Sequence, residues 1–314
     1  MRLIIALLVL LAPTAFASED IADQYPDSPL YAKPVEVIPN VWTATGATAP
    51  PSYENSGHNN NLSFIVTTEG VVVINGGAAY ILAKAMHAEI KAVTDQPVVL
   101  VINENGQGHA MLGNSYWADQ GVPILAHIDA YTEVEENGDF ILQRMESYNK
   151  DKAEGTRVVL PTQTFEDIKI LELGDTRIEV LHLGPAHDPG DVQVWLPQQK
   201  LVIAGDMAFH ERMLPIFEGT IVLDWIETWE NAFEPLGAIY VIPGHGHPTN
   251  MDQVRRYTYD YLVYLRGKIG EHIDEGGDLA GAYYVDQSPY ARLDTFEELA
   301  TKNAGRVYEQ MEWE

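Results

Sequence analysis

The sequence predicts an α/β protein in which helices cover mixed sheets, and two observations lead to this fold class. Apolar runs of strand length alternate along the chain with longer segments that have helical spacing. The chain has 314 residues, of which 46% are hydrophobic, so it can bury a substantial core. No internal repeat of about 20 to 50 residues points to a solenoid or a propeller instead.

The predicted elements follow one another in chain order. A proline-rich lead-in over residues 18–60 contains one short strand near Val35–Trp42. Later strands are predicted at Leu62–Thr67, Gly70–Asn75, Pro97–Asn103, Val122–Ala126, Ile178–Leu183, Val192–Leu196, Leu201–Ala204 and Ala238–Pro243. Helices are predicted at Ala79–Val93, Asn114–Gln120, Tyr131–Tyr148, Asp224–Leu236 and Phe296–Trp313. One more long helix is predicted from an apolar face that runs from Val254 to Ile269.

Charge and cysteine content exclude several classes of function. The formal net charge is −27, which repels phosphate backbones and anionic lipid, so we expect a small-molecule substrate and no nucleic-acid partner. The chain has no cysteine, which excludes disulfides, thiolate metal ligands and a cysteine nucleophile. Any metal must therefore be held by histidine, aspartate or glutamate.

The first 17 residues have the pattern of a secretory signal peptide. Arg2 precedes the apolar run Leu3–Ala12, and Ala15-Phe16-Ala17 forms a small-x-small cleavage site. The run is shorter than the roughly 20 residues that span a bilayer. We therefore predict cleavage after Ala17 and a periplasmic or secreted protein with no membrane insertion. The mature chain would have a main domain over residues 18–270 and a C-terminal helical extension over residues 271–314.

Histidines cluster in glycine-rich loops directly after predicted strands. His109, His187, His245 and His247 have this placement, and Asp206 follows the strand Leu201–Ala204 in the same way. Strand ends can project side chains into a common cleft, and glycine lets the backbone approach a ligand closely. Imidazoles with a carboxylate form a site for zinc, or for iron or manganese. A lone histidine is more often structural, but repetition of the placement favours a metal site.

Three of these segments, taken together, resemble a known family. Gly184-Pro-Ala-His-Asp-Pro-Gly-Asp191, Leu201-Val-Ile-Ala-Gly-Asp206 and Val241-Ile-Pro-Gly-His-Gly246 resemble the later motifs of metallo-β-lactamase-fold hydrolases, in the same order. The resemblance covers about residues 35–270. It implies an αββα sandwich of two mixed sheets flanked by helices, with the site in a cleft at one edge of the sheets. The segment Asn303–Tyr308 is similar to an exported branch associated with sulfur oxidation and quinoproteins.

The main metal-binding motif of that family, H-x-H-x-D-H, is altered in this chain. Its four positions are occupied by Asn105, Gln107, His109 and Ala110. Amides are weaker zinc ligands than imidazoles and alanine cannot ligate, so one metal position loses most of its donors. The resemblance then implies a single zinc ion whose ligands are His109, Asp206, His245 and His187. A pocket that has lost its metal altogether is the alternative.

The remaining polar residues near this motif have open roles. Asp206 would position a metal-bound hydroxide, while Asn105 and Gln107 would donate hydrogen bonds to the substrate or to an oxyanion. Glu104 is the nearest spare acid–base candidate, although a solvated carboxylate is the commoner case.

The other histidines give weaker indications. His247 is equally consistent with a ligand, a proton shuttle or a plain loop residue. His58 lies in a polar loop expected to border the cleft. Packing roles are favoured for His127, His182 and His210, and no role is assigned to His87 or His272.

These observations leave three hypotheses about function. The first is an exported hydrolase that uses zinc-bound hydroxide on a small ester, lactone, thioester or related substrate. Antibiotic hydrolysis is less favoured, because the thiolate ligand of some β-lactam-cleaving relatives is absent. The second is a catalytically silent protein of the same fold that binds a small molecule or a periplasmic redox partner. Iron-dependent sulfur chemistry, by analogy alone, is the third.

Overall fold

Two β-sheets form the centre of the protein in a computed structural model that describes residues 25–314; the predicted signal peptide lies outside these residues. In the described part, the first sheet has seven strands in the order β1-β2-β3-β4-β5-β6-β7, and the second has five in the order β12-β11-β10-β9-β8. The strands are β1 Val35–Ile38, β2 Val41–Ala44, β3 Leu62–Thr67, β4 Gly70–Ile74, β5 Val98–Ile102, β6 Ile124–His127, β7 Gln163–Phe165, β8 Ile168–Leu173, β9 Thr176–Leu181, β10 Gln193–Leu196, β11 Leu201–Phe209 and β12 Tyr240–His245.

Helices cover the outer faces of both sheets. They are α1 Tyr80–Val93, α2 Gly108–Met111, α3 Asn114–Asp119, α4 Ile128–Asn149, α5 Val222–Thr228, α6 Met251–Tyr257, α7 Tyr259–Asp274, α8 Leu279–Ala282 and α9 Phe296–Met311. Strands β4 to β7 run parallel and need crossover connections, which α1 to α4 supply. The parallel pair β11 and β12 is joined through α5 in the same manner.

Apolar side chains fill the space between the two sheets and the space between each sheet and the helices that cover it. Between the sheets, Val72 and Ile102 of the first sheet belong to one cluster with Ile203 and Ile242 of the second. Outside the first sheet a second cluster joins its strands to α1 and α3, and outside the second sheet a third cluster joins its strands to α5, α7 and α9. This is an αββα sandwich, so the predicted fold class is confirmed.

Several predicted element boundaries are wrong for local reasons. The single strand near Val35–Trp42 is a hairpin that reverses at Asn40, a residue with a φ of 70°. The single long helix divides into α6 and α7 at Thr258, whose buried hydroxyl bonds the backbone of Phe209. Because this contact is made by a residue far away in sequence, helical periodicity alone does not reveal it.

The C-terminal extension shares the core of the main domain. Ala300, Ala304 and Val307 of α9 lie in one buried cluster with Trp225 of α5 and Leu262 of α7. The predicted extension is therefore helical and packs against the second sheet's helices. No helix within residues 25–314 has the length and apolar character needed to cross a bilayer.

Candidate metal centre

The candidate site lies where strands of both sheets end at the same edge. β5 leads into the segment that carries Glu104, Asn105 and Gln107, and His109 follows in the short helix α2. His187 lies between β9 and β10. Asp206 lies inside β11, which continues to Phe209 instead of ending at Ala204, and His245 is the last residue of β12.

Asp206 is the centre of the cluster. Its Oδ1 lies 3.2 Å from His245 Nε2, and its Oδ2 lies 3.5 Å from both His109 Nε2 and His187 Nδ1. Its side chain is almost completely buried. Burial acts to raise the pKa of Asp206, but His109 and His245 outweigh it and hold that pKa well below its usual range. Asp206 is therefore a carboxylate at neutral pH.

Two glycines make room for the buried carboxylates. A Cβ on Gly244 would lie 2.4 Å from Asp206 Oδ1, and one on Gly205 would lie 2.1 Å from Glu104 Oε2. Gly205 also has a φ of 56°, in the left-handed region that favours glycine. The glycines of these motifs thus create the space that the carboxylate side chains occupy.

His245 presents an unprotonated nitrogen to Asp206. Its Nδ1 donates a short hydrogen bond to the carbonyl oxygen of Asn59, which places the ring proton on that side. Burial lowers the pKa of His245 to about 4, so the ring is neutral. Nε2 then turns a lone pair toward Asp206 Oδ1, an atom that has no hydrogen-bond donor among the described residues. Metal-ligating histidines are oriented by such a carbonyl contact on the opposite ring nitrogen.

His109 contacts two carboxylates with one ring nitrogen. Its Nε2 lies 3.2 Å from Glu104 Oε1, in addition to its contact with Asp206. Burial acts to lower the pKa of His109, but Asp206 and Glu104 outweigh it and raise that pKa. Burial raises the pKa of Glu104. Glu104 is 2% exposed, so the expectation of a solvated carboxylate is wrong.

A separate set of contacts surrounds His187. Gln107 Nε2 donates to His187 Nδ1 at 3.0 Å, and Asn105 Nδ2 donates to Asp191 Oδ1 at 3.0 Å. Asn105 lies farther from Asp206 Oδ2, at 3.4 Å. Burial together with Asp188 raises the pKa of Asp191 well above its usual value. The amides at positions 105 and 107 thus bond to neighbouring side chains at this end of the cleft.

The donor atoms of His109, Asp206 and His245 fit a single divalent cation. One ligand atom from each lies within 4.8 Å of the others. Zinc at about 2.1 Å from each donor implies roughly 3.4 Å between donors in a tetrahedral site. His245 Nε2 lies 3.2 Å from Asp206 Oδ1 and His109 Nε2 lies 3.5 Å from Asp206 Oδ2, so each ring is near this spacing from a different oxygen of the carboxylate. We call these three residues the His245 side of the cleft, and Asn105, Gln107 and His187 the His187 side.

The structure brings the predicted site segments close together and shows neighbours that the sequence prediction did not include. His187 borders Asp206 without joining the three-residue group, and its Nε2 has no hydrogen-bond partner among the described residues. Arg212 was missed: it is buried, and its Nη1 lies 3.3 Å from His245 Nδ1. A sequence signal for it existed, since it is the only lysine or arginine between residues 201 and 254.

The structure also shows the hydrogen-bond partners of two further histidines, His58 and His247. His58 is completely buried and accepts a hydrogen bond from the backbone N–H of Tyr31. His247 Nδ1 lies 2.6 Å from Glu211 Oε2, and this contact raises the pKa of His247. His247 therefore pairs with a carboxylate beside the site and is not part of the three-residue group.

Comparison with known proteins agrees with the observed fold. The family model of the metallo-β-lactamase superfamily matches residues 111–247. Acyl-coenzyme A thioesterase MBLAC2 of Homo sapiens is 24% identical over 109 residues, 34% of this chain and 39% of that protein. Metallo-beta-lactamase type 2 of Bacillus cereus is 27% identical over 89 residues, 27% of this chain and 35% of that protein. The chain thus spans about two fifths, or less, of these relatives' length.

Solved structures of similar fold cover more of the chain. A metallo-beta-lactamase from Pontibacter korlensis superposes with a TM-score of 0.61 at 20% identity, over 73% of this chain and 98% of that one. DIM-1 metallo-beta-lactamase gives a TM-score of 0.59 at 17% identity, over 74% of this chain and 96% of that one. At this level of identity, the likeness concerns the fold.

Proposed function

We propose that the protein is a hydrolase of the metallo-β-lactamase superfamily that depends on one metal ion, and the family model that matches residues 111–247 supports this. His109, Asp206 and His245 would hold this ion, and zinc is the ion we expect from a set of two imidazoles and one carboxylate. Iron or manganese would be the alternatives for the same donors.

One observation carries this proposal. On the His245 side, His245 Nε2 and Asp206 Oδ1 face each other at 3.2 Å, and Asp206 Oδ1 has no hydrogen-bond partner among the described residues. Two electron-rich atoms at this distance repel each other unless a cation lies between them. On the His187 side, the Gln107 amide already donates to the ring nitrogen. The donors available to a metal therefore support one ion instead of two.

When bound, the metal would supply Lewis acidity, polarising a substrate carbonyl and lowering the pKa of a water molecule. The protein's own residues would then orient the reaction. Asp206 fixes the position of both ligating rings through its two oxygens. Glu104 Oε1 lies 3.2 Å from His109 Nε2, so this buried carboxyl group would help to position the ligating ring. Asn105 and Gln107 carry amide donors at the end of the cleft where a carbonyl oxygen of the substrate would lie.

The substrate class that we propose is a small ester, lactone, thioester or related compound. The partial match to an acyl-coenzyme A thioesterase supports the inclusion of thioesters. Export to the periplasm or outside the cell, with cleavage after Ala17, belongs to the same proposal and rests on the pattern of residues 1–17. The tail Asn303–Tyr308 remains the basis for the predicted link to an exported sulfur-oxidation branch.

Metal analysis of the purified full-length chain tests the proposal. We expect about one equivalent of zinc, removable by a chelator, and ester hydrolysis that is lost and regained with the metal. His109→Ala should lose the metal, whereas His272→Ala, at the far end of α7, should retain it and serves as the matched control. Absence of any bound metal in the wild-type protein would contradict the proposal.

The second candidate is a catalytically silent binding protein, and the Gln107–His187 hydrogen bond favours it. This bond uses a ring nitrogen that a second metal would need. A wild-type chain that binds no metal and hydrolyses no ester, but retains a small molecule through purification, would support this alternative.

A further inference from the structure

Three aromatic rings surround the imidazole of His187. The Phe217 ring lies edge-on with its centroid 5.0 Å from that of His187, and the rings of Phe209 and Trp225 each lie 5.7 Å away. Phe209 and Trp225 are completely buried, whereas Phe217 is 45% exposed. Of the three rings that surround His187, therefore, only that of Phe217 is also exposed to solvent.

Two more apolar side chains are exposed among the residues that follow Phe217. Ile221 is 53% exposed and Leu223 is 38% exposed, within seven residues of Phe217. Between them, the turn from Phe217 to Thr220 is closed by a hydrogen bond from the Phe217 N–H to the Thr220 hydroxyl. Phe217 is both exposed and in contact with a histidine of the cleft, and apolar side chains next to a few polar groups are typical of ligand-binding sites.

The charge of this region argues against an anionic ligand. No lysine or arginine occurs between residues 213 and 254, and Glu218 lies within the turn itself. Arg212, just before this stretch, is 5% exposed and contacts His245, so it is not available at the surface. The cation at this turn, Arg306 of α9, lies 3.9 Å from Glu218 and is already paired with that carboxylate, so it offers an anionic ligand no net positive charge. The surface suits an uncharged apolar group.

The C-terminal extension holds this loop in place. Asn303 of α9 accepts from the N–H of Ile216, and its amide donates to the carbonyl of Leu214. Gln310 of α9 bridges the two sides of the next turn, donating to the carbonyl of Thr220 and accepting from the N–H of Val222. The Thr220 hydroxyl in turn donates to the His187 carbonyl. The loop is thus fixed relative to His187 by side chains far away in sequence.

We propose that Phe217 and Ile221 form the binding surface for an uncharged, apolar acyl or aryl group of the substrate, positioned beside His187 by α9. This inference rests on the proposed function, since it names the substrate class of the same cleft. It places the scissile carbonyl near the polar residues of the cleft and the apolar group against Phe217. Preference for substrates should therefore increase with the apolar length of this group.

A series of uncharged p-nitrophenyl esters with acyl chains of two, four and eight carbons tests the proposal in the zinc-loaded enzyme. We expect kcat/KM to rise roughly threefold to fourfold for each methylene group that the surface buries. In Phe217→Ser this dependence on chain length should disappear, and in Gln310→Leu it should weaken because the loop loses two hydrogen bonds. Tyr284→Ser is the matched control, since Tyr284 is 86% exposed on the extension and contacts none of these loop residues.

Binding of octanamide, measured by calorimetry, separates this inference from the proposed function because it requires no hydrolysis. We expect Phe217→Ser to weaken octanamide binding about tenfold and Tyr284→Ser to leave it unchanged. Octanamide binding that is lost with Phe217, in a chain that hydrolyses none of the esters, would uphold the surface and overturn the hydrolase. Equal binding by wild type and Phe217→Ser, or tighter binding of octanoate than of octanamide, would overturn the surface itself.

Discussion

The two sides of the cleft contain similar residue types, but their polar side chains have different hydrogen-bond partners. On the His245 side, Asp206 lies between imidazoles and has an oxygen with no hydrogen-bond donor in the described part of the chain. On the His187 side, Gln107 and Asn105 each donate to a neighbouring side chain. The comparison shows that an amide differs from an imidazole in more than ligand strength. An amide has N–H donors of its own, and Gln107 uses one to bond the ring nitrogen of His187.

The largest effect is expected for the carboxylate that defines the His245 side. Asp206→Asn removes the negative charge between two rings, so metal affinity should fall by roughly a hundredfold or more, beyond what loss of a supporting contact costs. Asp191→Asn changes a carboxyl on the His187 side and should retain about one equivalent of metal. Calorimetric titration with zinc measures both variants. Equal loss in the two variants would mean that the sides do not differ in metal binding.

The next effect concerns the number of metal ions. The double variant Asn105→His with Gln107→His replaces both amide donors by imidazoles, so the His187 side should gain metal donors. Metal content should then rise from about one to about two equivalents, as measured by elemental analysis. His87 lies on α1 away from the cleft, and His87→Gln provides a control for the change in histidine number. No gain in metal would indicate that backbone positions on the His187 side no longer suit a metal.

A smaller effect is expected from adding one methyl group at Gly205, next to the buried side chain of Glu104. In Gly205→Ala the new Cβ would lie 2.1 Å from Glu104 Oε2 at a φ of 56°, so the free energy of unfolding should fall by about 2–3 kcal/mol. Gly267→Ala in the middle of α7 is the control. Its Cβ would have no neighbour within 4 Å, so we expect stabilisation of about 0.5–1 kcal/mol. Urea denaturation measures both changes, and an unchanged Gly205→Ala would contradict the tight packing.

The smallest effect is expected for the Thr220 hydroxyl, which bonds to the backbone of His187. Thr220→Val removes the hydroxyl that donates to the His187 carbonyl at 2.7 Å, so stability should fall by about 1 kcal/mol. Thr132→Val on the exposed face of α4 removes a hydroxyl that bonds its own helix and should change stability by less than half as much. Thermal unfolding of the two variants gives the comparison. If Thr220→Val were neutral, water would replace the lost bond at His187.

The fold and the segments of the site could be predicted from the sequence because local patterns determine them. Apolar periodicity marked β3, β4, β5 and α1 closely, and the glycine-rich motifs identified the strand ends that carry Asp206 and His245. These features depend on residues near one another in the chain, and the family resemblance extends them to the order of the sheets.

What the sequence did not reveal depends on contacts between distant segments. The burial of Glu104 follows from Gly205, 101 positions later, and the break before α7 follows from the bond between Thr258 and Phe209. The hydrogen bond between Gln107 and His187 also joins separate loops. Residue type alone does not show whether such side chains contact water, a metal or each other, because these contacts depend on tertiary packing.

The position of α9 after all the strands of both sheets has a consequence for the order of folding. The loop beside His187 obtains its hydrogen bonds from Asn303 and Gln310, which are synthesised after those strands. Until they arrive, Phe217 and its neighbours lack the partners that hold them, and loops of low local stability sample many conformations. The apolar side of the cleft therefore depends on a later part of the chain than the strands that carry the polar residues of the cleft.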